Sequence, residues 1–235
     1  MPGEERPLAL RVLWVLALTL IVASLAMVWF YAPMERVMGL VQKVFYFHVA
    51  ANWLGMLSFI IAALMAVLYL ITRDPRWDRL EVAAVEIGWA FSIMGVVSGS
   101  VWARPIWNTW WTQDPRLITV TVMVLLYSGY FLFRRAIIDP ERRARHSSVY
   151  ALVAVVTVPL TFLSARIYRT IHPVVVGKSS ADAMGGFDMA PEMRLTMFFT
   201  LFAFTVLYAA MLWERYRLET AQRALEEEKA RLMEV

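Results

Sequence analysis

The 235-residue chain contains no cysteine. That excludes disulfides, thiolate metal sites, Fe–S clusters and a CxxCH haem attachment within it. There is no GxxxxGK[ST], and no GxGxxG opening a helix after a strand, so nucleotide hydrolysis or dinucleotide binding would have to come from a partner. Charge is also scarce, at 18% Asp, Glu, Lys and Arg, where a soluble domain carries about 25%. Histidine occurs three times, as His48, His146 and His172.

What remains is apolar. The sequence is 60% hydrophobic, with a mean hydropathy of +0.57. Six runs approach the roughly 20 residues a bilayer-spanning helix needs: 8–31, 46–71, 83–103, 117–133, 149–168 and 195–213. Pro159 is expected to kink the fifth. The first run is longer than the apolar core of a signal peptide and reads as a retained helix. The expected fold is an all-α integral membrane protein, a six-helix transmembrane bundle. Residues 1–213 form the membrane domain and 214–235 a charged cytoplasmic C-terminal helix.

The net charge of +4 does not argue for nucleic acid, because the cations sit in short segments beside apolar runs, where they set topology. With six spans, fifteen of the 23 Lys and Arg fall on the side of both termini and eight on the other. The positive-inside rule therefore places the termini in the cytoplasm. His48, His172 and the segment between spans three and four then share the outer face, while His146 lies inside among Arg142, Arg143 and Arg145.

That outer segment, 102–116, reads WARPIWNTWWTQDPR. An aromatic belt explains one or two indoles per helix end. It explains poorly Trp102, Trp107, Trp110 and Trp111 beside Arg104, Asp114 and Arg116. Bracketed by Pro105 and Pro115, the segment reads as a stiff aromatic loop suited to a flat apolar ligand with anionic edges. Met34, Val37, Met38, Val41, Val44, Phe45 and His48 fall on one helical stripe, which predicts an outer-face interfacial helix running into span two. His172 stands before Pro173, at a turn. A porphyrin would use two imidazoles and arginines; a quinone or a lipid would also fit such a surface. Leu218, Leu225 and Leu232 are seven apart, too few for a coiled-coil assignment. Glu86 is expected to snorkel to the inner interface or to pair within the bundle.

Three segments carry a resemblance. WARPIWNTWWTQDPRL (about 102–117) is similar to the tryptophan-rich WWD signature of haem-handling membrane proteins, with Trp102, Pro105, Trp107, Trp110, Trp111, Asp114, Arg116 and Leu117 in its positions. KVFYFHVAANW and SARIYRTIHP resemble that family's two histidine segments. The length and order match its short branch, the cytochrome c maturation protein C (CcmC) family. Ala103 and Asn108 stand where the pattern has Gly, and Gln113 where it has Trp.

The resemblance implies a non-enzymatic protein of the bacterial inner membrane that binds haem b non-covalently, as transient cargo, at the periplasmic face. Presentation to a periplasmic haem chaperone, and help with its covalent attachment there, would follow. Partners implied are that chaperone, the ATPase and permease subunits of an ABC transporter, a small single-span membrane subunit and membrane lipids. Site residues implied are His48 and His172 as axial ligands of the haem iron, and Trp107, Trp110 and Trp111 on the porphyrin, with Trp102 and Asp114 shaping the loop. Arg104 and Arg116 are further candidates for propionate or loop-orienting roles. The alternative is a b-type cytochrome or quinone-linked electron-transfer subunit, which would place its ligands inside the spans. A purely structural transporter subunit is a third.

Overall fold

In the computed structural model, residues 6–36, 38–168, 170–173 and 189–233 are described. Among these residues seven α-helices make up the bundle: α1 Leu8–Ala26, α2 Val44–Thr72, α3 Pro75–Trp107, α4 Pro115–Ala136, α5 Pro140–Ala154, α6 Thr157–Ile167 and α7 Pro191–Met233. They supply six stretches long and apolar enough to cross a membrane, with α5 and α6 together forming the fifth. All six expected spans are present.

Three helices start with the same chemistry. Asp74, Asp114 and Asp139 each cap a helix whose first residue is Pro75, Pro115 or Pro140, and each carboxylate accepts a main-chain N–H two or three residues on. Proline tolerates the first helical position because its missing N–H would be unpaired there, and aspartate satisfies a neighbouring orphan donor. The Asp-Pro dipeptides thus punctuate the chain at 74, 114 and 139.

Proline also breaks the fifth span. Pro159 cannot donate to the carbonyl of Val155, and the helix parts at Val155 and Val156. Val158 N–H takes the Val155 carbonyl at 2.9 Å instead.

The interfacial helix expected over 34–48 does not form as one element. A π-helical turn, Met27–Tyr31, ends α1; Glu35 and Gly39 then form an isolated bridge. Gly39 takes φ +59, a conformation open to glycine but costly for other residues, and it ends any helix there. Only a 3-10 turn, Leu40–Lys43, leads into α2. Val37 of the expected stripe, and residues 174–188 of the expected mobile outer loop, lie outside the described residues. Lys43 is buried and donates to the carbonyls of Val28 (2.6 Å) and Ala32 (2.8 Å), tying the end of α1 to the start of α2.

α2 and α3 form the central hairpin, with α7 on one flank against α1, α2 and α3, and α4, α5 and α6 on the other. Phe59 of α2 stacks on Tyr127 of α4 at 3.5 Å between centroids, within the main core cluster. The membrane stretch of α7 continues past residue 213 without a break to Met233. Residues 214–233 of the expected C-terminal segment are therefore an extension of the sixth span.

The two ends of the bundle differ. At the end holding the α2–α3 and α4–α5 turns, Asp78 pairs bidentately with Arg134 (2.8 and 2.9 Å) and again with Arg223 of α7 (2.7 Å). Glu86 accepts from Arg215, one contact at 2.9 Å, and Arg215 also reaches Glu219. Pairing, rather than snorkelling, is the fate of Glu86. The fully buried Glu81 carboxylate, unremarked in the sequence, accepts from Tyr130 (2.9 Å) and Ser148 (2.5 Å). His146 is exposed on α5 at this same end. At the opposite end lie His48, His172 and the tryptophans.

Candidate functional site

His48 sits just over one turn into α2 and faces α3. Its Nδ1 lies 3.1 Å from the Gly95 carbonyl and 3.2 Å from Ser98 Oγ. A carbonyl can only accept, so Nδ1 carries the proton and Nε2 keeps the lone pair. The ring fits because α3 has no side chain beneath it: a Cβ on Gly99 would stand 2.8 Å from His48 Cε1. Asn52, one turn on, donates to the His48 carbonyl at 2.8 Å and approaches Nε2 only to 3.5 Å.

His172 follows α6 and is held by the tryptophan-rich segment itself. Asp114 is buried. Its Oδ1 accepts the Arg116 N–H at 3.0 Å as the cap of α4. Its Oδ2 accepts from Thr170 Oγ1 (2.6 Å) and Ile171 N (3.0 Å). Thr170 Oγ1 in turn accepts the His172 N–H at 3.0 Å. Asp114 therefore does not form a side-chain salt bridge with Arg116; it fastens the His172 segment to the start of α4. His172 Nδ1 lies 3.0 Å from the Pro173 carbonyl, which again leaves Nε2 as the free ligand atom. Burial first, then the nearby charge of Arg116, holds the His172 pKa well below 6.5. The imidazole stays neutral at neutral pH, the form that binds a metal.

The two imidazoles, 124 residues apart in sequence, have ring centroids 6.3 Å apart. An imidazole nitrogen binds a metal at about 2 Å, and the ring centre lies about 1.1 Å behind it, so two imidazoles flanking one metal have centres about 6 Å apart. The observed spacing fits a single metal. Among the described residues no group of three or more His, Asp or Glu could hold a bare metal ion. A metal held between the two imidazoles would therefore need further ligands that the described residues do not supply.

Around the histidines is a cavity of about 920 Å³, at the upper end of the 300–1,000 Å³ usual for ligand sites. Trp102, Trp107, Trp110 and Trp111 all line it, with Arg116 and both histidines. The tryptophans are not all on a loop, however. α3 runs through Trp102 to Trp107 with Pro105 inside its last turn, and ends at Asn108 in the left-handed conformation (φ 54). Asparagine is the residue that best replaces glycine there, which accounts for Asn108 at a Gly position of the WWD pattern. Trp102 is buried against Phe45 (5.9 Å) and lies 5.8 Å from His48, so it both packs the core and backs the imidazole. Trp110 is more than half exposed.

Two candidates, Arg104 and Asp114, do not line the cavity; Asp114 acts through the His172 segment it holds. Arg104 is exposed, donates to the Asn108 carbonyl (2.9 Å) and to its side-chain oxygen, and lies 6.0 Å over Trp110; its place is in shaping the turn. Gln113, at a Trp position of the WWD pattern, is exposed and is not among the lining residues. Sequence reasoning missed Arg166, which lines the cavity, and the Gly95–Gly99 stretch of α3 under His48. An i, i+4 glycine pair in an apolar helix is a signal of close helix approach.

Residues 6–231 match the family described as heme exporter protein C. The chain belongs to that family. The heme exporter protein C of Bradyrhizobium diazoefficiens is 32% identical over 213 residues, 89% of this chain and 81% of the relative. That of Paracoccus denitrificans is 28% identical over 214 residues (90% and 87%), and that of Escherichia coli 27% over 206 (87% and 81%).

Proposed function

We propose that this protein binds haem b, non-covalently, between His48 and His172 at the outer membrane face, and presents it to a periplasmic haem chaperone for cytochrome c maturation. The observation that carries this reading is the imidazole pair at single-metal spacing inside an indole-lined cavity. Family membership supports haem transport as the setting. Bound haem supplies the iron that the imidazoles ligate. The chain's own part is to hold both imidazoles with Nε2 free, to pack indoles on the ring and to exclude water from the iron. Both histidines lie at one end of the bundle, which offers no relay across the membrane and disfavours the electron-transfer alternative.

The charge asymmetry supports placing that end outside, in a bacterial inner membrane with cytoplasmic termini. The ATPase and permease subunits of an ABC transporter and a small single-span subunit are the proposed companions. Because the chain has no cysteine, single introduced cysteines report topology directly. Gln113→Cys should label with an impermeant maleimide in intact spheroplasts, and Glu226→Cys only after permeabilisation; the reverse pattern contradicts the orientation. For delivery, the measurement is haem carried by chaperone purified after co-expression. His48→Ala and His172→Ala should each lower it at least about tenfold, and undiminished loading in both refutes the proposal.

A further inference from the structure

A second concavity lies at the end of the bundle away from the histidine pair, between α4 and α5. It holds about 330 Å³ and is lined chiefly by Leu126 and Phe133 of α4 and by His146, Val149, Tyr150 and Val153 of α5. Its floor is fixed. Tyr150 Oη donates to the Leu126 carbonyl at 2.8 Å, and the tyrosine ring stacks on Phe133 at 5.5 Å between centroids. Gly129 lets Tyr150 lie this close to α4, because a Cβ there would stand 2.7 Å from Tyr150 Oη. The walls are open: Phe133 and Val149 are exposed, and Val153 is 70% exposed. α5 packs on α2 and α4, and this face of it turns away from the bundle.

Composition along α5 changes in one direction. At about 100° per residue, Arg142, Arg145, His146, Val149, Tyr150 and Val153 fall on one side of the helix. The basic residues come first, nearest the α4–α5 turn, and the apolar ones follow for about 10 Å into the span. Arg142, Arg145 and His146 are all exposed. At this end Asp78, Glu86 and Glu219 are taken up by Arg134, Arg215 and Arg223. Glu141, one turn before Arg145, stands at the edge of the basic face, so the head of the groove keeps a net positive charge. Topology alone accounts for arginines beside a span. It does not account for their standing at the head of an apolar groove with a fixed tyrosine floor.

We propose that this groove binds an anionic phospholipid. Arg142, Arg145 and His146 meet the headgroup phosphate, and one acyl chain lies over Tyr150 between Phe133, Val149 and Val153. Guanidinium groups match phosphate oxygens bidentately, and basic pockets between membrane helices suit acidic headgroups at the leaflet surface. A partner's membrane helix would cover the apolar walls but leave the cations at headgroup level unused. The site is separate from the histidine cavity and does not depend on the haem reading.

The test uses the full chain in detergent, titrated with phosphatidylglycerol or with phosphatidylcholine of the same acyl chains, and reads bound lipid by native mass spectrometry. Wild type should bind one phosphatidylglycerol about tenfold more tightly than phosphatidylcholine. Arg142→Gln combined with Arg145→Gln should cut that preference to under about twofold. Val153→Trp fills the groove from an exposed position and should weaken both lipids about tenfold, with the unfolding temperature unchanged. Lys229→Gln combined with Arg231→Gln removes the same charge from the exposed end of α7 and should leave the preference intact. Equal binding of the two lipids by wild type overturns the proposal and leaves the groove to a partner helix. A preference that survives the Arg142 and Arg145 changes, or that falls as far in the α7 control, overturns it as well. Lipid binding unaffected by Val153→Trp overturns the groove as its seat.

Discussion

The two ends of this bundle are held together by different means. At the end with the α2–α3 and α4–α5 turns, Arg134, Arg223 and Arg215 meet Asp78, Glu86 and Glu219 in close pairs that join α3, α4 and α7. At the histidine end Asp114 serves neutral donors, capping α4 and accepting from Thr170 and Ile171, beside a cavity whose described lining holds no carboxylate. The first set of charges holds the long α7 against the bundle. The second end spends its one buried carboxylate on positioning the His172 segment. Paired buried charge reads as architecture, and a carboxylate that orients a histidine segment reads as support for a site.

The contrast can be broken at either end. Asp78→Ala should have the largest effect, because it takes the partly buried Arg134 from its acid and leaves Arg223 with Glu219 alone; a loss of about 3 kcal/mol is expected. Thermal unfolding in detergent would show it, whereas the spectrum of haem bound to surviving folded protein should be unchanged. Asp114→Ala is the corresponding cut at the histidine end. It removes a helix cap, about 1 kcal/mol, and frees the Thr170–Ile171 segment. Haem affinity should fall about tenfold by spectroscopic titration, a loss larger than the cap alone explains. Gly99→Ala sharpens the comparison without touching charge. The added methyl would stand 2.8 Å from His48 Cε1, so haem affinity should fall about fivefold while stability changes by less than about 1.5 kcal/mol. Arg104→Gln should be the mildest, under about twofold in affinity, since Arg104 is exposed and bonded within its own turn.

Much of this was legible beforehand, for reasons that differ by residue. Six apolar runs and the excess of arginine at alternate loops follow from bilayer physics, and the structure bears out the six-helix all-α bundle. His48, His172 and the indoles could be placed at one end because topology alone brings segments 48, 102–116 and 172 together. Their distances could not be read, because they depend on how closely α2 approaches α3 over Gly95 and Gly99. The interfacial helix failed because a stripe of apolar residues outweighed the one position, Gly39, whose backbone ends it. Pro115 looked like the stiffener of a loop; the recurrence of Asp-Pro at 74, 114 and 139 would have shown it as the first residue of a helix. Arg166 was counted for its charge and missed as a cavity residue, because only the packing of α4 on α6 brings the end of α6 to the cavity wall.

The central claim is that one iron sits between His48 and His172. Its most direct measurement is the absorption and electron paramagnetic resonance spectrum of purified protein loaded with haem, compared with His48→Ala and His172→Ala. The account predicts a low-spin, six-coordinate bis-imidazole signature in the wild type, lost in each single variant and restored in part by added free imidazole. A wild-type-like low-spin spectrum persisting in both variants contradicts it.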